Sequence, residues 1–316
     1  MNEERVIGGI LGLVVGDALG LPVQFLTRAE VRQSPVIGMR GGGTFDTPPG
    51  TWSDDSSLTL CLVKSLIEKG YDVSDIAERF VRWFQDGYCT PFDHAFDIGY
   101  ATRDAMRRLI KGVAPLEAGP AEEDDNGNGS LMRILPAVMF FAHLPDSQFI
   151  ERVCEVSKIT HGHLRSQLGC SLYGLYIKSL LAGEDMETAY QSLQVKAPRV
   201  FEGTELEKEL SYYQRITNGS LPMLFEDEIQ STGYVVYTLE AAIWCFMMTE
   251  SYKEAVLKAV NLGLDTDTVG AVAGGLAGAY YGLGGIPEEW LSKIVKKDWI
   301  LDLSRRFAVV CDPIVQ

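Results

Sequence analysis

Two acidic turns most constrain what this chain can fold into: Gly50-Thr51-Trp52-Ser53-Asp54-Asp55-Ser56 and Asn261-Leu262-Gly263-Leu264-Asp265-Thr266-Asp267-Thr268. Each opens a long apolar helical pattern instead of decorating a solvated one. Burying an unpaired carboxylate costs far more than a core contact returns, so a fold that encloses both turns needs something positive between them. Behind the N-cap Ser53, Asp54 and Asp55 fall in a first turn, where complementing the helix dipole is worth roughly 0.3–1 kcal/mol each. That accounts for one acid. It does not account for the recurrence at Asp265 to Thr268.

A second pattern says how the turns could meet. Gly8, Gly12, Gly16 and Gly20 recur every four residues in the first helical stretch, Ile7 to Leu21, and Gly270, Gly274, Gly278 and Gly282 repeat the pattern in a helix from Val269 to Tyr281. Each set forms one bare stripe against which another backbone can approach closely. We expect these two helices to pack near a common centre and to bring the acidic turns together. Asp17, at the end of the first stripe, is read either as a buried partner for a helix terminus or an arginine, or as a residue near a cation or polar substrate.

The formal net charge of −15 over 316 residues, with no Lys/Arg cluster beyond Lys296-Lys297 and Arg305-Arg306, argues against a nucleic-acid groove. A divalent cation would partly offset it. The apolar run Val6 to Val15 follows an acidic start and is interrupted by Asp17, so it reads as a core helix, not a signal peptide or a membrane span. Six scattered cysteines without a CxxC pair read as buried thiols in a reducing cytoplasm. The expectation is a cytoplasmic monomer with no membrane association and a single domain over residues 1–316.

The rest of the chain is helical by pattern, and no period-2 alternation marks a strand. Thr27 to Pro49 reads as a long loop, of the kind that serves as a lid or binding loop. A helix is expected from Ser74 through Phe84, and Phe96-Asp97-Ile98-Gly99 enters another that runs through Met106 and Leu109. Asp97 is either a plain first-turn acid or functional. After a surface connection from Gly112 to Asp125, the loop Asn126 to Arg133 opens an apolar helix, Ile134 to Phe141, with Arg133 in its first turn. Amides at such a junction suit an anion, although no Gly-Lys-Ser/Thr follows to make a P-loop. Thr160-His161-Gly162-His163 precedes a helix from Leu168 to Leu181, with a spacing that suits no zinc site. Glu184 to Thr232 reads as a peripheral helical insertion, Tyr234 to Met248 as a fully buried helix, and Tyr252 to Val260 as an amphipathic one.

Ser53, Asp54, Asp55, Asp265, Asp267 and Thr268 together offer four carboxylates and two hydroxyls. Hard oxygen donors suit magnesium or manganese, and four carboxylates fit two ions with bridging ligands better than one.

In order, Gly12-Leu13-Val14-Val15-Gly16-Asp17-Ala18-Leu19-Gly20, Gly50-Thr51-Trp52-Ser53-Asp54-Asp55, Phe96-Asp97-Ile98-Gly99, Asn128-Gly129-Ser130-Leu131-Met132-Arg133, Thr160-His161 and Asp265-Thr266-Asp267-Thr268-Val269-Gly270-Ala271 resemble the motifs of the ADP-ribosylglycohydrolase family, from about residue 6 to about residue 290. The resemblance implies an all-α fold, a compact orthogonal bundle of many helices around a dinuclear Mg2+ or Mn2+ centre. It also implies hydrolysis of the glycosidic bond of an ADP-ribosylated protein, often at arginine, or of a small ADP-ribosyl compound. Carried over by position, Ser53, Asp54, Asp55, Asp265, Asp267 and Thr268 are the metal ligands. Asn128, Gly129, Ser130, Leu131, Met132 and His161 form the ADP-ribose cradle, and Asp97 is the acid that assists catalysis; in the mechanism expected here, Asp55 or Asp97 takes the proton of the attacking water. Leu264 departs from the Gly-Gly of many relatives and is expected to add bulk beside the metals; Ser53 in place of Thr keeps the hydroxyl. Two rival readings are a catalytically inactive, crystallin-like member of the fold, which would be expected to lose ligands, and a dinuclear phosphoesterase, which the lack of histidine near the acidic turns disfavours.

Overall fold

The computed structural model describes residues 2–312; among the described residues the chain is built from helices, and the only bridges are the isolated Gly42–Thr47 and Gly127–Tyr234 pairs. The ends of the single unit expected from sequence, residue 1 and residues 313–316, lie outside the described residues. Helix α1 (Glu3–Gly20) has every residue from Val6 to Gly20 buried. By length and composition it could cross a membrane, yet its apolar stretch is buried inside the core. A 3-10 turn, Leu21–Val23, follows it, then α2 (Arg28–Gln33). The long stretch read as irregular is thus not all loop. Thr27 Oγ1 accepts from the Glu30 amide while Glu30 reaches back to the Thr27 amide, a capping box that stabilises a helix too short to show a period.

Helix α3 (Asp54–Lys69) starts behind Ser53, and α4 (Val73–Asp86) is capped by Asp72, whose carboxylate takes the Ser74 and Asp75 amides, so the helix begins one residue before Ser74. Helices α5 (Tyr100–Ile110), α6 (Pro115–Ala118), α7 (Leu135–Phe141) and α8 (Asp146–Lys158) follow. Helix α9 (Leu164–Leu181) begins earlier than its apolar run suggests, because His163 Nδ1 caps it through the Arg165 amide. The region expected to be peripheral holds α10 (Met186–Val200) and α11 (Gln214–Thr217), and it sends Phe201, Tyr213, Ile216, Leu221 and Ile229 into the core. Helices α12 (Val235–Met247), α13 (Tyr252–Val260), α14 (Thr266–Tyr281), α15 (Glu288–Leu291) and α16 (Lys297–Val310) complete the fold.

The axis of the molecule is the α1–α14 pair. A Cβ added to Gly8, Gly12 or Gly16 would strike the backbone at Gly278 and Gly282, at Gly274, or at Gly270; at Gly20 it would strike Thr266. Rising numbers on one helix meet falling numbers on the other, so the pair is antiparallel. The C-terminus of α1 therefore meets the N-terminus of α14, where Thr266 Oγ1 donates to Gly20 O at 2.8 Å. Tyr252 of α13 and Tyr173 of α9 tie this axis to its surround by donating to Gly12 O and Val272 O.

Candidate active site

At the crossing of α1 and α14 the start of α3 is pinned in place by Asp17. The Ser53 amide donates to its carboxylate at 2.9 and 3.0 Å, and the Ser56 amide and hydroxyl donate to its Oδ2 at 3.1 and 2.5 Å. Asp17 thus caps α3 from a neighbouring helix, as the helix-terminus reading of the sequence had it. It also stands in the acidic group itself: Asp17, Asp55 and Asp267 each bring a carboxylate oxygen to within 4.8 Å of one another.

The second acidic turn is shaped by Gly263 (φ +81°), where a Cβ would strike Arg28, and by Leu264 (φ +65°), which is held by Leu264 N donating to Leu26 O and Phe25 N donating to Leu264 O. The exposed side chain of Leu264 lines a neighbouring depression with Phe25, Thr232, Gly233 and the ligand candidate Asp265, so its bulk stands at the edge of the acidic turn. Asp97 (φ +57°) lies three residues before α5, so it is not a first-turn acid; the Gln24 Nε2 donates to its Oδ2 at 2.8 Å.

Six carboxylates therefore share one site. Burial is the largest influence on each and raises every one of Asp17, Asp54, Asp55, Asp97, Asp265 and Asp267 above the usual carboxylate range, Asp17 to about 7. Mutual repulsion adds to this at Asp54, Asp55, Asp265 and Asp267, and no lysine or arginine is among the leading influences on them. Asp55 Oδ1 and both oxygens of Asp267 are buried without a hydrogen-bond partner. Orphaned anionic oxygens of this kind are the donor set a hard divalent cation requires, so the residues fit such an ion. Ser53 Oγ, 3.0 Å from Asp55 Oδ2, and Thr268 complete the oxygen set.

Above this floor opens a cavity of about 390 Å³. Asp54, Asp97, Asn128, Gly129, Met132, His161, Asp265 and Thr268 line it, whereas Ser53, Asp55 and Asp267 lie beneath. Asn128 Nδ2 donates to Asp265 Oδ2 at 2.6 Å, fastening the glycine loop to the acidic turn. A Cβ on Gly129 would fill the space against the His161 ring. His161 is pushed down to about 3 by burial and by the Arg133 charge, so its imidazole is neutral.

Ser130 and Leu131 turn their side chains away from the cavity. The Ser130 hydroxyl accepts from Ser157 Oγ and Leu131 is packed in the core, so their side chains do not reach the cavity and any ligand contact falls to their main chain. Arg133 is likewise a core post, stacked on Phe80 and donating to Val156 O and Thr160 Oγ1. Sequence reasoning missed Gln24 and Thr102, which also line the cavity. Gln24 had one local signal, a polar residue set between Val23 and Phe25.

The family profile described as ADP-ribosylglycohydrolase matches residues 1–313. The chain is 33% identical over 308 residues to the ADP-ribosylarginine hydrolase Tri1 of Serratia proteamaculans, covering 96% of this chain and 78% of that one. It is 34% identical over 301 residues to the ADP-ribosyl-[dinitrogen reductase] glycohydrolase of Rhodospirillum rubrum, covering 93% and 92%. A solved structure, an ADP-ribosylglycohydrolase-related protein complex, superposes with a TM-score of 0.83 at 34% identity over 98% of this chain and 99% of that one.

Proposed function

The chain belongs to the ADP-ribosylglycohydrolase family and hydrolyses ADP-ribosylated substrates, and from that premise we propose that the bond it opens is the N-glycosidic bond between ADP-ribose and an arginine side chain. The observation that carries the reading is the set of orphaned buried carboxylates directly beneath a cavity that Asp97 and the 127–132 loop also line. The names of the two relatives above, one acting on ADP-ribosylarginine and one on ADP-ribosylated dinitrogen reductase, support the arginine linkage.

Ser53, Asp54, Asp55, Asp265, Asp267 and Thr268 would hold two Mg2+ or Mn2+ ions, with Asp17 bracing the turn that presents three of them. Such ions supply Lewis acidity and lower the pKa of water toward neutrality. The chain's own groups do the rest. Asn128, the Gly129 backbone and neutral His161 orient the ADP-ribose, whose phosphates meet the loop amides. Water attacks the anomeric carbon as it gains oxocarbenium character, Asp97 or Asp55 takes the proton from that water, and the C–N bond breaks toward the guanidine. The free thiols support a reducing, cytoplasmic setting.

The test is release of free ADP-ribose from an arginine-ADP-ribosylated peptide, with magnesium or manganese and again with a chelator. We expect release only with metal. Metal binding by titration without any release would refute the arginine linkage, and equal release in chelator would refute the metal centre.

A further inference from the structure

Gln24 is almost wholly buried at 5% exposure, lines the cavity, and has no place in the chemistry described so far. Its Nε2 donates to Asp97 Oδ2 at 2.8 Å, while its Oε1 is buried with no partner at all. The amide turns its NH2 toward Asp97 and leaves its carbonyl, which can only accept, without a donor. Two residues that both line the cavity, joined by this bond, thus each keep an acceptor, an amide carbonyl and a carboxyl group. An unsatisfied buried carbonyl is costly, and it is tolerated where a ligand completes it.

We propose that Gln24 Oε1 and the Asp97 carboxylate form an acceptor pair that receives the guanidinium of the arginine to which ADP-ribose is attached, making Gln24 a specificity-determining residue. A guanidinium presents N–H donors in a rigid planar fork and is matched by two neighbouring acceptors. A serine or carboxyl ester linkage offers no such fork and would leave Oε1 orphaned, the kind of mismatch that discriminates most strongly. This inference rests on the arginine linkage proposed above and names how it is read.

The experiment compares wild type with Gln24→Met, which keeps the volume and removes both polar atoms, and Gln24→Glu, which keeps an acceptor and removes the donor to Asp97. Each is assayed on an arginine-ADP-ribosylated peptide, and its affinity for free ADP-ribose, which has no leaving group, is measured calorimetrically. Loss of a bond to a charged donor predicts that Gln24→Met loses roughly ten- to hundredfold in kcat/KM, chiefly through KM, because the guanidinium is charged in the bound substrate as well. Gln24→Glu should lose less than Gln24→Met, because its carboxylate still accepts from the guanidinium although it crowds Asp97, and both variants should bind ADP-ribose as wild type does. Wild-type kinetics in Gln24→Met would overturn the proposal. So would equal losses in both variants, which would reduce Gln24 to a support for Asp97, and so would a parallel fall in ADP-ribose affinity. If wild type itself binds ADP-ribose yet releases none from the peptide, the arginine linkage fails and the acceptor pair fails with it.

Discussion

Asp267 is buried with both carboxylate oxygens unpartnered and with Asp55, Asp97 and Asp265 repelling its charge, so the metal-free protein carries it at a cost. Replacing it by the neutral isostere should therefore act in opposite directions with and without metal. Metal-free Asp267→Asn should melt higher than metal-free wild type. Saturating Mg2+ or Mn2+ should raise wild type by a few degrees, since a ligand at a hundredfold its Kd adds about 2.7 kcal/mol, and should leave the variant unmoved. A variant that melts lower without metal, or still responds to it, would remove Asp267 from the ligand set. His161 gives a pH signature. Its folded pKa, about 3 against an ordinary 6.5, means that the unfolded chain binds a proton between those values and the folded chain does not. Stability from this group is thus complete above about 6.5 and declines as pH falls toward 3. The melting temperature of wild type should fall more steeply between pH 6.5 and 4 than that of His161→Asn, and parallel curves would show the ring protonated in the fold. At this scale the acid pairs were legible because two carboxylates at an apolar helix start are anomalous on their own. Gln24 was not, because its meaning lies in Asp97, far along the chain, and Asp17 was legible only as alternatives until Ser53 and Ser56 were seen against it.

Among the elements, the four-residue glycine spacing carried most of the architecture. It named both central helices and the face on which they meet, because a stripe without Cβ atoms has few uses besides backbone contact. Gly16 and Gly270 face one another across the antiparallel pair, one turn from the acidic start of α14. A methyl on either must push the helices apart, and overpacking of this kind typically costs about 1–3 kcal/mol. Gly16→Ala and Gly270→Ala should each lower the melting temperature and, by moving Asp17 and Asp267 relative to each other, weaken metal binding measured by calorimetry. Gly284→Ala, where an added Cβ meets nothing, is the control and should change neither. Unchanged metal affinity in a destabilised Gly16→Ala would show that the axis supports the fold without setting the site. What the periodicity did not carry was capping: α2 is announced by Thr27 and Glu30, α4 by Asp72 and α9 by His163, all polar residues outside any apolar pattern. The segment from 184 to 232 looked peripheral because its surface is polar, yet its few aromatics are what fix it, Tyr213 through its hydroxyl on Arg165 O.

Across the whole molecule, helix ends converge on one point and the charge runs one way. Formal net charge is −15, and the site floor is itself a cluster of acids, while the substrate carries a pyrophosphate. An enzyme that must draw an anion through its own negative field depends on locally bound cations and on loop amides for capture, and the long-range field works against it. Salt should therefore help. The Debye length shrinks from about 30 Å at 0.01 M to about 8 Å at 0.15 M ionic strength, which screens the distant surface acids while leaving contacts inside the cavity nearly untouched. With free metal held constant and a small ADP-ribosyl-arginine substrate, kcat/KM should rise a few-fold over that range while kcat stays level, because only the encounter is affected. A fall in kcat/KM with salt would mean that the bound cations and the arginines of the neighbouring cavity that shares Tyr100, Ala101 and Asp125 with this one, such as Arg103 and Arg107, outweigh the net charge and steer the substrate inward. The two outcomes separate a site that captures its anion only at contact from one whose surroundings collect it, a distinction set by where the few cations of this acidic chain stand and not by their number.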